Sequence, residues 1–134
     1  MITRTSEPYV IRTDADVVAA RQAARALAVE LRFSLVDQTK IVTAASELAR
    51  NTLVYGGGGT MKLEVLEKHP RVGLRMTFED QGPGIPDIQK ALSDGYTTGN
   101  GLGLGLGGSR RLVDEFEIES AVGRGTRIMA TKWK

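Results

Sequence analysis

Two segments in the first half of the chain repeat their apolar residues at helical spacing. The first places five apolar residues at steps of three or four: Val17, Ala20, Ala24, Leu27 and Leu31. The second does the same with Ile41, Ala44, Ala45 and Leu48. This periodicity predicts two amphipathic helices. Residues 13–16 and 34–37 precede them as capping boxes, and the glycine run 56–59 predicts that the second helix ends near Tyr55.

Alternating apolar residues predict a hairpin after the second helix. Met61, Leu63 and Val65 form the apolar side of its first strand. The intervening Lys62 and Glu64, and Glu67 beyond them, are expected to be exposed. The second strand carries Val72, Leu74, Met76 and Phe78 on its apolar side. Asp80 continues that side, so we expect a buried carboxylate, which needs a hydrogen-bond partner.

The remaining patterns predict the other helices and strands of a two-layer fold. Residues 9–12 predict a short strand, residues 87–92 a short helix with Pro86 at its first position, and residues 106–116 a further helix. Residues 116–120 and 126–133 predict two strands around the turn 123–125. The order β-α-α-β-β-α-α-β-β predicts an α/β (α+β) sandwich, with one mixed sheet and the helices on one face. We expect residues 1–134 to form a single domain.

Composition narrows the class of protein. The 134 residues are 41% hydrophobic and 25% charged, which is ordinary for a globular domain. The formal net charge is +2, with basic and acidic residues interspersed, so nucleic acid is not expected as a partner. The chain has no cysteine, which excludes disulfides, thiolate metal sites and a cysteine nucleophile. No apolar run approaches the roughly 20 residues of a membrane span, so we expect a cytoplasmic protein without a membrane partner.

Glu47 and Asn51 are four residues apart in the second predicted helix and therefore share one face. A carboxylate there can take a proton from a hydroxyl nucleophile, and an amide oxygen can bind Mg²⁺ held by a triphosphate. Such pairs are also common on solvated helix faces, so this pair indicates a functional site only in combination with the glycine motifs that follow.

A glycine-rich run, Gly101 to Leu106, comes immediately before a predicted helix. Its backbone N–H groups can contact phosphate at the helix N-terminus. Residues 103–108 also satisfy the pattern G-x-G-x-x-G, but no strand leads directly into them, so a Rossmann site is not predicted. The sequence contains no P-loop motif either.

Four motifs in order resemble the GHKL superfamily of ATPases, which includes histidine-kinase catalytic domains, gyrase B, Hsp90 and MutL. Residues 47–51 resemble its N box, residues 80–85 and 101–106 its first two glycine boxes, and residues 123–126 the last one. The resemblance covers nearly the whole chain. It implies the Bergerat (GHKL) ATP-binding fold, with ATP and Mg²⁺ as cofactors.

The resemblance also implies roles for individual residues. Glu47 would be the catalytic base, and Asn51 would bind Mg²⁺ that bridges the phosphates. Asp80 would accept a hydrogen bond from the adenine amino group, and Thr126 would complete the adenine contact. Two glycines of the first glycine box, Gly82 and Gly84, would lie in the nucleotide site. The phosphates would be surrounded by the second glycine box: Gly101, Leu102, Gly103, Leu104, Gly105 and Leu106.

Within the superfamily, the chain is most similar to the stand-alone serine/threonine kinases of the RsbT type. A sensor histidine kinase would need a phosphoacceptor histidine on a helix, whereas the one histidine, His69, precedes a proline in a turn. The segment between the glycine boxes is short and lacks phenylalanine, and we do not expect the transducer domain that gyrase-like and MutL-like proteins need. The similarity to the RsbT type is carried by residues 18–22, 46–51, 80–88 and 132–133.

Membership of this group implies a function in stress signalling. The kinase would phosphorylate STAS-domain proteins of the stressosome, RsbS-like and RsbR-like, and then bind and activate an RsbU-like phosphatase. Two alternatives remain: an anti-sigma-factor kinase of the RsbW or SpoIIAB type, and a nucleotide-gated binding switch without catalysis. For Asp80 the alternative is a turn-capping aspartate, and for the glycine run a simple loop. Whether Arg110 and Arg111 contact phosphate or a partner stays open.

Overall fold

A computed structural model describes residues 1–92 and 105–134. Its strands are β1 (Ile2–Thr5), β2 (Tyr9–Ile11), β3 (Gly59–Lys68), β4 (Arg71–Asp80), β5 (Glu115–Ala121) and β6 (Gly125–Trp133). Its helices are α1 (Asp14–Glu30), α2 (Leu35–Val54), α3 (Ile88–Ala91) and α4 (Gly105–Leu112). In the described parts of the chain, no helix is long and apolar enough to span a membrane.

The strands form one sheet in the order β1-β3-β4-β6-β5, and β2 pairs with the other end of β3. β3 and β4 form the predicted hairpin, in a register that runs without interruption from Gly59 opposite Asp80 to Lys68 opposite Arg71. We predicted a mixed sheet, but the described pairings are all antiparallel. The reason is that β6 lies between β4 and β5, so these two strands, which run in the same direction, are not neighbours.

The helices α1 and α2 pack on the face of the sheet that the alternation predicted as apolar. α1 turns Val17, Ala20, Ala24 and Ala28 inward, and α2 turns Ile41, Ala44, Ala45 and Leu48 inward. On the sheet they meet a set of buried side chains that alternate along β3 and β4: Met61, Leu63, Leu74, Met76 and Phe78. The two-layer architecture predicted from the sequence is therefore confirmed.

One strand was not predicted, and one helix ends earlier than predicted. β1 was not predicted, because its four residues are exposed and carry no apolar alternation; it exists through its pairing with the edge of β3. The helix predicted to reach Phe116 ends at Leu112. It ends because Asp114 bonds to β6: its N–H donates to the Thr131 carbonyl at 2.9 Å, and its carboxylate accepts from the Trp133 N–H at 2.6 Å.

Glu64, predicted to be exposed, is only 5% exposed. It lies directly opposite Arg75 across the hairpin, and the Arg75 Nε donates to Glu64 Oε1 at 2.9 Å. A second guanidinium nitrogen of Arg75 is 2.8 Å from the same oxygen. The arginine covers the carboxylate and neutralises it, which makes this burial tolerable. The pattern of charged residues in the sequence did not predict that Glu64 and Arg75 form an ion pair.

The first capping box is complete and the second is not. The Asp16 N–H donates to Thr13 Oγ1, and Asp16 Oδ2 accepts from the N–H groups of Thr13 and Arg12, at 3.1 and 2.9 Å. The hydrogen bond from the Arg12 N–H is the main cause that lowers the pKa of Asp16 below its ordinary value of 3.8. At α2 the Ser34 hydroxyl accepts from the Asp37 N–H, whereas the Asp37 carboxylate lies 3.7 Å from Lys132 Nζ.

Replacing the capping carboxylate tests this account of the start of α1. We expect Asp16→Asn to lower the melting temperature at neutral pH, because the amide is a weaker acceptor than the carboxylate. A lowered folded-state pKa means that the stabilisation is present above pH 3.8 and is lost as the pH falls through the lowered pKa. The deficit of the variant should therefore shrink in acid. Asp14→Asn, in the same first turn, is the control; equal pH dependence of wild type and Asp16→Asn would contradict the assignment.

Candidate functional site

A cavity of about 460 Å³ lies between the C-terminal end of α2, the ends of β4 and β6, and the segments that lead into α3 and α4. It is lined by Asn51, Thr52, Tyr55, Gly56, Phe78, Asp80, Pro83, Gly84, Ile85, Pro86, Asp87, Lys90, Ala91, Gly105, Leu106, Thr126 and Ile128. Its volume is in the range of small-molecule sites, and most of its wall is apolar. These residues come from distant parts of the sequence, so the cavity exists only in the folded chain.

Asp80 is the central polar group of this cavity. It ends β4, where it lies opposite Gly59 on one side and Thr126 on the other. Its Oδ1 accepts from the Gly82 N–H at 2.9 Å. Asp80 is half-buried rather than buried as predicted, because it ends the strand at the cavity. Within residues 1–92 and 105–134, its Oδ2 has no protein partner. Among the described residues, nothing therefore competes with a ligand for this carboxylate oxygen.

Glycines allow the backbone to approach Asp80 closely. A Cβ at Gly56 would lie 2.4 Å from the Asp80 Cγ, and one at Gly82 would lie 2.8 Å from the Gly56 backbone. A Cβ at Gly125, which has a φ of +91°, would lie 2.1 Å from the Asp80 carbonyl oxygen. Each of these positions excludes a side chain. The glycines of the first and last boxes are thus required to bring α2, β4 and β6 together.

The first and last glycine boxes also bind each other directly. The Gly123 N–H donates to the Pro83 carbonyl at 2.8 Å, and the Ile85 N–H donates to the Ser120 hydroxyl at 2.8 Å. Gly84 has a φ of +79°, and a Cβ there would lie 2.2 Å from the Ala121 carbonyl oxygen. The loop after β4 is therefore held against the β5–β6 turn, which fixes one wall of the cavity.

The two residues of the predicted N box lie differently relative to the cavity. Asn51 lines it, while Glu47, one turn earlier on α2, is not among the lining residues. Both side chains are half-buried. The Asn51 carbonyl accepts from the N–H groups of Tyr55 and Gly56, at 3.0 and 3.2 Å, which ends the helix beside Asp80. The arrangement places an amide at the cavity wall and a carboxylate just beyond it.

The second glycine box is described only in part. Gly105, with a φ of +73°, and Leu106 begin α4 and line the cavity as predicted. Gly101, Leu102, Gly103 and Leu104 lie outside the described residues. Arg110 and Arg111 are exposed on α4 and are not among the lining residues.

Several lining residues were not predicted from the sequence. Phe78 and Ile128 lie opposite each other in adjacent strands, each two residues from a polar lining residue, so strand alternation could have indicated them. Ile85 is the last residue of the first glycine box, and it also lines the cavity although no role was predicted for it. Lys90 is the one cationic residue among the described lining residues, and nothing in its sequence neighbourhood marks it.

The arrangement suits a flat heterocycle with an amino group. Phe78, Ile85 and Ile128 supply apolar surface, and Asp80 supplies an acceptor beside it. Among residues 1–92 and 105–134, no group of three or more carboxylate, histidine or cysteine residues could hold a metal ion. A metal here would need oxygen ligands from the bound molecule, which is how Mg²⁺ commonly binds together with phosphates. The Asn51 amide oxygen could supply one protein ligand.

Residues 36–133 match the family described as histidine kinase-, DNA gyrase B-, and HSP90-like ATPases. The chain belongs to this family. It is 52% identical over 123 residues to the serine/threonine-protein kinase RsbT of Bacillus subtilis, covering 92% of each protein. It is 31% identical over 119 residues to an anti-sigma F factor of a Thermoanaerobacter species, covering 85% of this chain and 82% of that protein.

A solved structure shares the fold. The RsbU and RsbW domains of a Mycobacterium tuberculosis protein superpose with a TM-score of 0.64 at 20% identity, covering 97% of this chain and 32% of that one. Together these relationships confirm the predicted fold and the predicted similarity to kinases of the RsbT type. They also confirm that the chain is a protein serine/threonine kinase that uses ATP.

The contact between Gly56 and Asp80 can be tested by adding one methyl group. We expect Gly56→Ala to lower the affinity for ADP at least tenfold, because the new Cβ displaces the Asp80 carboxylate. Isothermal titration calorimetry measures the affinity. Gly57→Ala is the matched control: its Cβ enters open space, and its φ of +74° costs about 1 kcal/mol of stability without touching the cavity. Equal ADP affinity in wild type and Gly56→Ala would contradict the predicted displacement.

Proposed function

We propose that this kinase transfers the γ-phosphoryl group of ATP to a serine or threonine of STAS-domain antagonists, RsbS-like and RsbR-like, in a stressosome. After release it binds and activates an RsbU-like phosphatase in the cytoplasm. The observation that carries the nucleotide part is the Asp80 carboxylate, held by Gly82 at the end of a mostly apolar cavity. The partner part rests on the 52% identity to RsbT over almost the whole chain.

In this proposal Asp80 Oδ2 accepts a hydrogen bond from the adenine amino group, and Phe78, Ile85 and Ile128 contact the ring. The cavity fits this role, because an acceptor-only carboxylate beside apolar walls selects a heterocycle that carries a donor. Thr126, directly opposite Asp80, completes the polar edge.

Asn51 binds Mg²⁺ through its amide oxygen in the same proposal. The bound Mg²⁺ would neutralise charge on the phosphates during transfer. Glu47 lies one helical turn away, about 6 Å along the axis, outside the cavity wall. That position suits a base that meets the hydroxyl of a docked protein. Glu47 would accept the hydroxyl proton as the oxygen attacks the phosphorus.

Replacing Glu47, the proposed catalytic base, separates phosphate transfer from nucleotide binding. We expect Glu47→Gln to reduce phosphate transfer to an RsbS-like STAS protein by about 10²–10⁴-fold, because the amide cannot accept the proton. ADP affinity should change by less than about threefold, since Glu47 does not line the cavity. The transfer rate is measured with labelled γ-phosphate under single-turnover conditions, and the ADP affinity is measured by calorimetry. Glu67→Gln, on the exposed end of β3, is the matched control. Transfer at the wild-type rate would refute the role of Glu47.

The metal role of Asn51 has its own test. We expect Asn51→Ala to remove most of the gain in ADP affinity that Mg²⁺ produces, because one protein ligand to the ion is lost. Titrations of ADP in Mg²⁺ and in EDTA measure this gain for wild type and variant. The affinity in EDTA should be nearly unchanged. A full Mg²⁺ effect in Asn51→Ala would show that the ion is held without this residue.

A second candidate is an anti-sigma-factor kinase, which the 31% identity to anti-sigma F factors supports. The higher identity to RsbT favours the first candidate. Purification of the protein with its native partners distinguishes the two. A stable complex with a sigma factor would favour the second, and a complex with STAS proteins the first. A STAS complex without any phosphate transfer would instead favour the nucleotide-gated switch.

A further inference from the structure

One face of α2 carries Glu47 and lies opposite the buried residues of the helix. Six residues recur there at alternating steps of four and three, so they share one side of the helix. We call them the outer stripe: Val36, Lys40, Thr43, Glu47, Arg50 and Val54. The stripe runs about 27 Å along the helix axis, from 18 steps at 1.5 Å each. The surface around the proposed base is therefore long enough to contact a protein.

The outer stripe is exposed at its ends and half-buried in its middle. Val36 and Val54 are 65% and 51% exposed, and the four residues between them are half-buried. Since α2 packs against both α1 and α4, neighbouring helices account for this partial cover. The middle of the stripe is thus a shallow groove, and an exposed valine at each end supplies apolar contact area to a protein that lies along it.

Three side chains of α2 divide the approach to the phosphate region. Asn51 lines the nucleotide cavity, whereas Glu47 and Arg50 are not among its lining residues. Around the helix axis Glu47 lies between the other two, about 40° from Asn51 and about 60° from Arg50. Long side chains of a helix lean toward its N-terminus, which brings the Arg50 guanidinium toward the turn of Glu47. Arg50 is therefore on the side of Glu47 that faces an incoming protein.

Arg50 has no ion pair and no side-chain hydrogen bond within residues 1–92 and 105–134. By contrast, Arg75 and Lys132, which are also half-buried, each bind a carboxylate of the chain itself. Partial burial restricts the stem of Arg50 and leaves its charged group without an internal partner. Such a guanidinium suits a carboxylate from outside, which it can bind through two parallel N–H···O bonds.

We propose that Arg50 determines the specificity for the protein acceptor: it binds a carboxylate that the acceptor carries beside its serine or threonine hydroxyl. The acceptor lies along the outer stripe, and its ion pair with Arg50 brings the hydroxyl to Glu47. This inference rests on the proposed function, in which Glu47 is the base. The nucleotide phosphates are not the partner of Arg50, because Arg50 lies on the far side of Glu47 from the cavity.

Phosphate transfer to the RsbS-like STAS protein at saturating ATP tests this inference, with KM and kcat measured separately. We expect Arg50→Glu to raise the KM for the STAS protein at least about tenfold, because attraction becomes repulsion. Both kcat and ADP affinity should stay within about threefold, since Arg50 contacts neither the nucleotide nor the transferred group. Arg50→Lys, which keeps the charge without the paired geometry, should raise KM only about threefold. Lys68→Glu, with the same change of charge on the exposed end of β3, is the matched control and should keep the wild-type KM.

The salt dependence of KM distinguishes an ion pair from a structural effect of the substitution. Raising the ionic strength from about 50 mM to about 500 mM screens charges. The KM of wild type should therefore rise and that of Arg50→Glu should fall, so that the two values converge; a difference that salt leaves unchanged overturns the proposal. If Arg50→Glu does not fold, Arg50→Gln removes the charge without reversing it. That variant should also raise KM and should show a weaker salt dependence than wild type.

The outcomes separate this inference from the proposed function. If wild type transfers no phosphate to the STAS protein, the proposed function fails, and the inference with it. If wild type transfers phosphate and Arg50→Glu has the wild-type KM, the proposed function stands, but Arg50 does not select the acceptor. A loss of more than tenfold in kcat at unchanged KM would show that Arg50 acts on the transferred phosphoryl group, and would also overturn the proposal.

Discussion

The site depends on the close approach of the end of α2 to the ends of β4 and β6. At this junction the backbone of Gly56 packs beneath the Asp80 carboxylate, and the Gly82 backbone packs on Gly56. Gly125 lies against the Asp80 carbonyl. A side chain at any of these positions would push a helix or strand away from the carboxylate. The glycine boxes therefore first permit packing, and the cavity follows from the packing.

This packing divides the site into two regions with different chemistry. The apolar region lies around Phe78 and Ile128, where Asp80 provides the acceptor. The other region lies along α2, where Asn51 faces the cavity and Glu47 lies one turn beyond its wall. In the proposed function the first region binds the base of the nucleotide and the second brings phosphate and protein acceptor together. A carboxylate outside the wall can contact a docked protein without competing with the nucleotide for space.

The sequence predicted well those features that depend on local periodicity. The helices α1 and α2, the β3–β4 hairpin and the parity of Asp80 all followed from spacing that burial on one face imposes. Features that depend on a distant partner were not predicted. β1 forms only by pairing with β3, Glu64 is buried only because Arg75 lies opposite it, and α4 ends early because Asp114 bonds to β6. Ser120 likewise reaches the loop after β4 only through its hydrogen bond with the distant Ile85.

The most direct test of the account is a crystal structure of the wild-type protein with a non-hydrolysable ATP analogue and Mg²⁺. The account predicts the adenine amino group within about 3.2 Å of Asp80 Oδ2, and the Asn51 amide oxygen as a ligand of the ion. The adenine ring should lie between Phe78, Ile85 and Ile128. A base bound elsewhere, with the Asp80 carboxylate contacting only Gly82, would contradict the central claim.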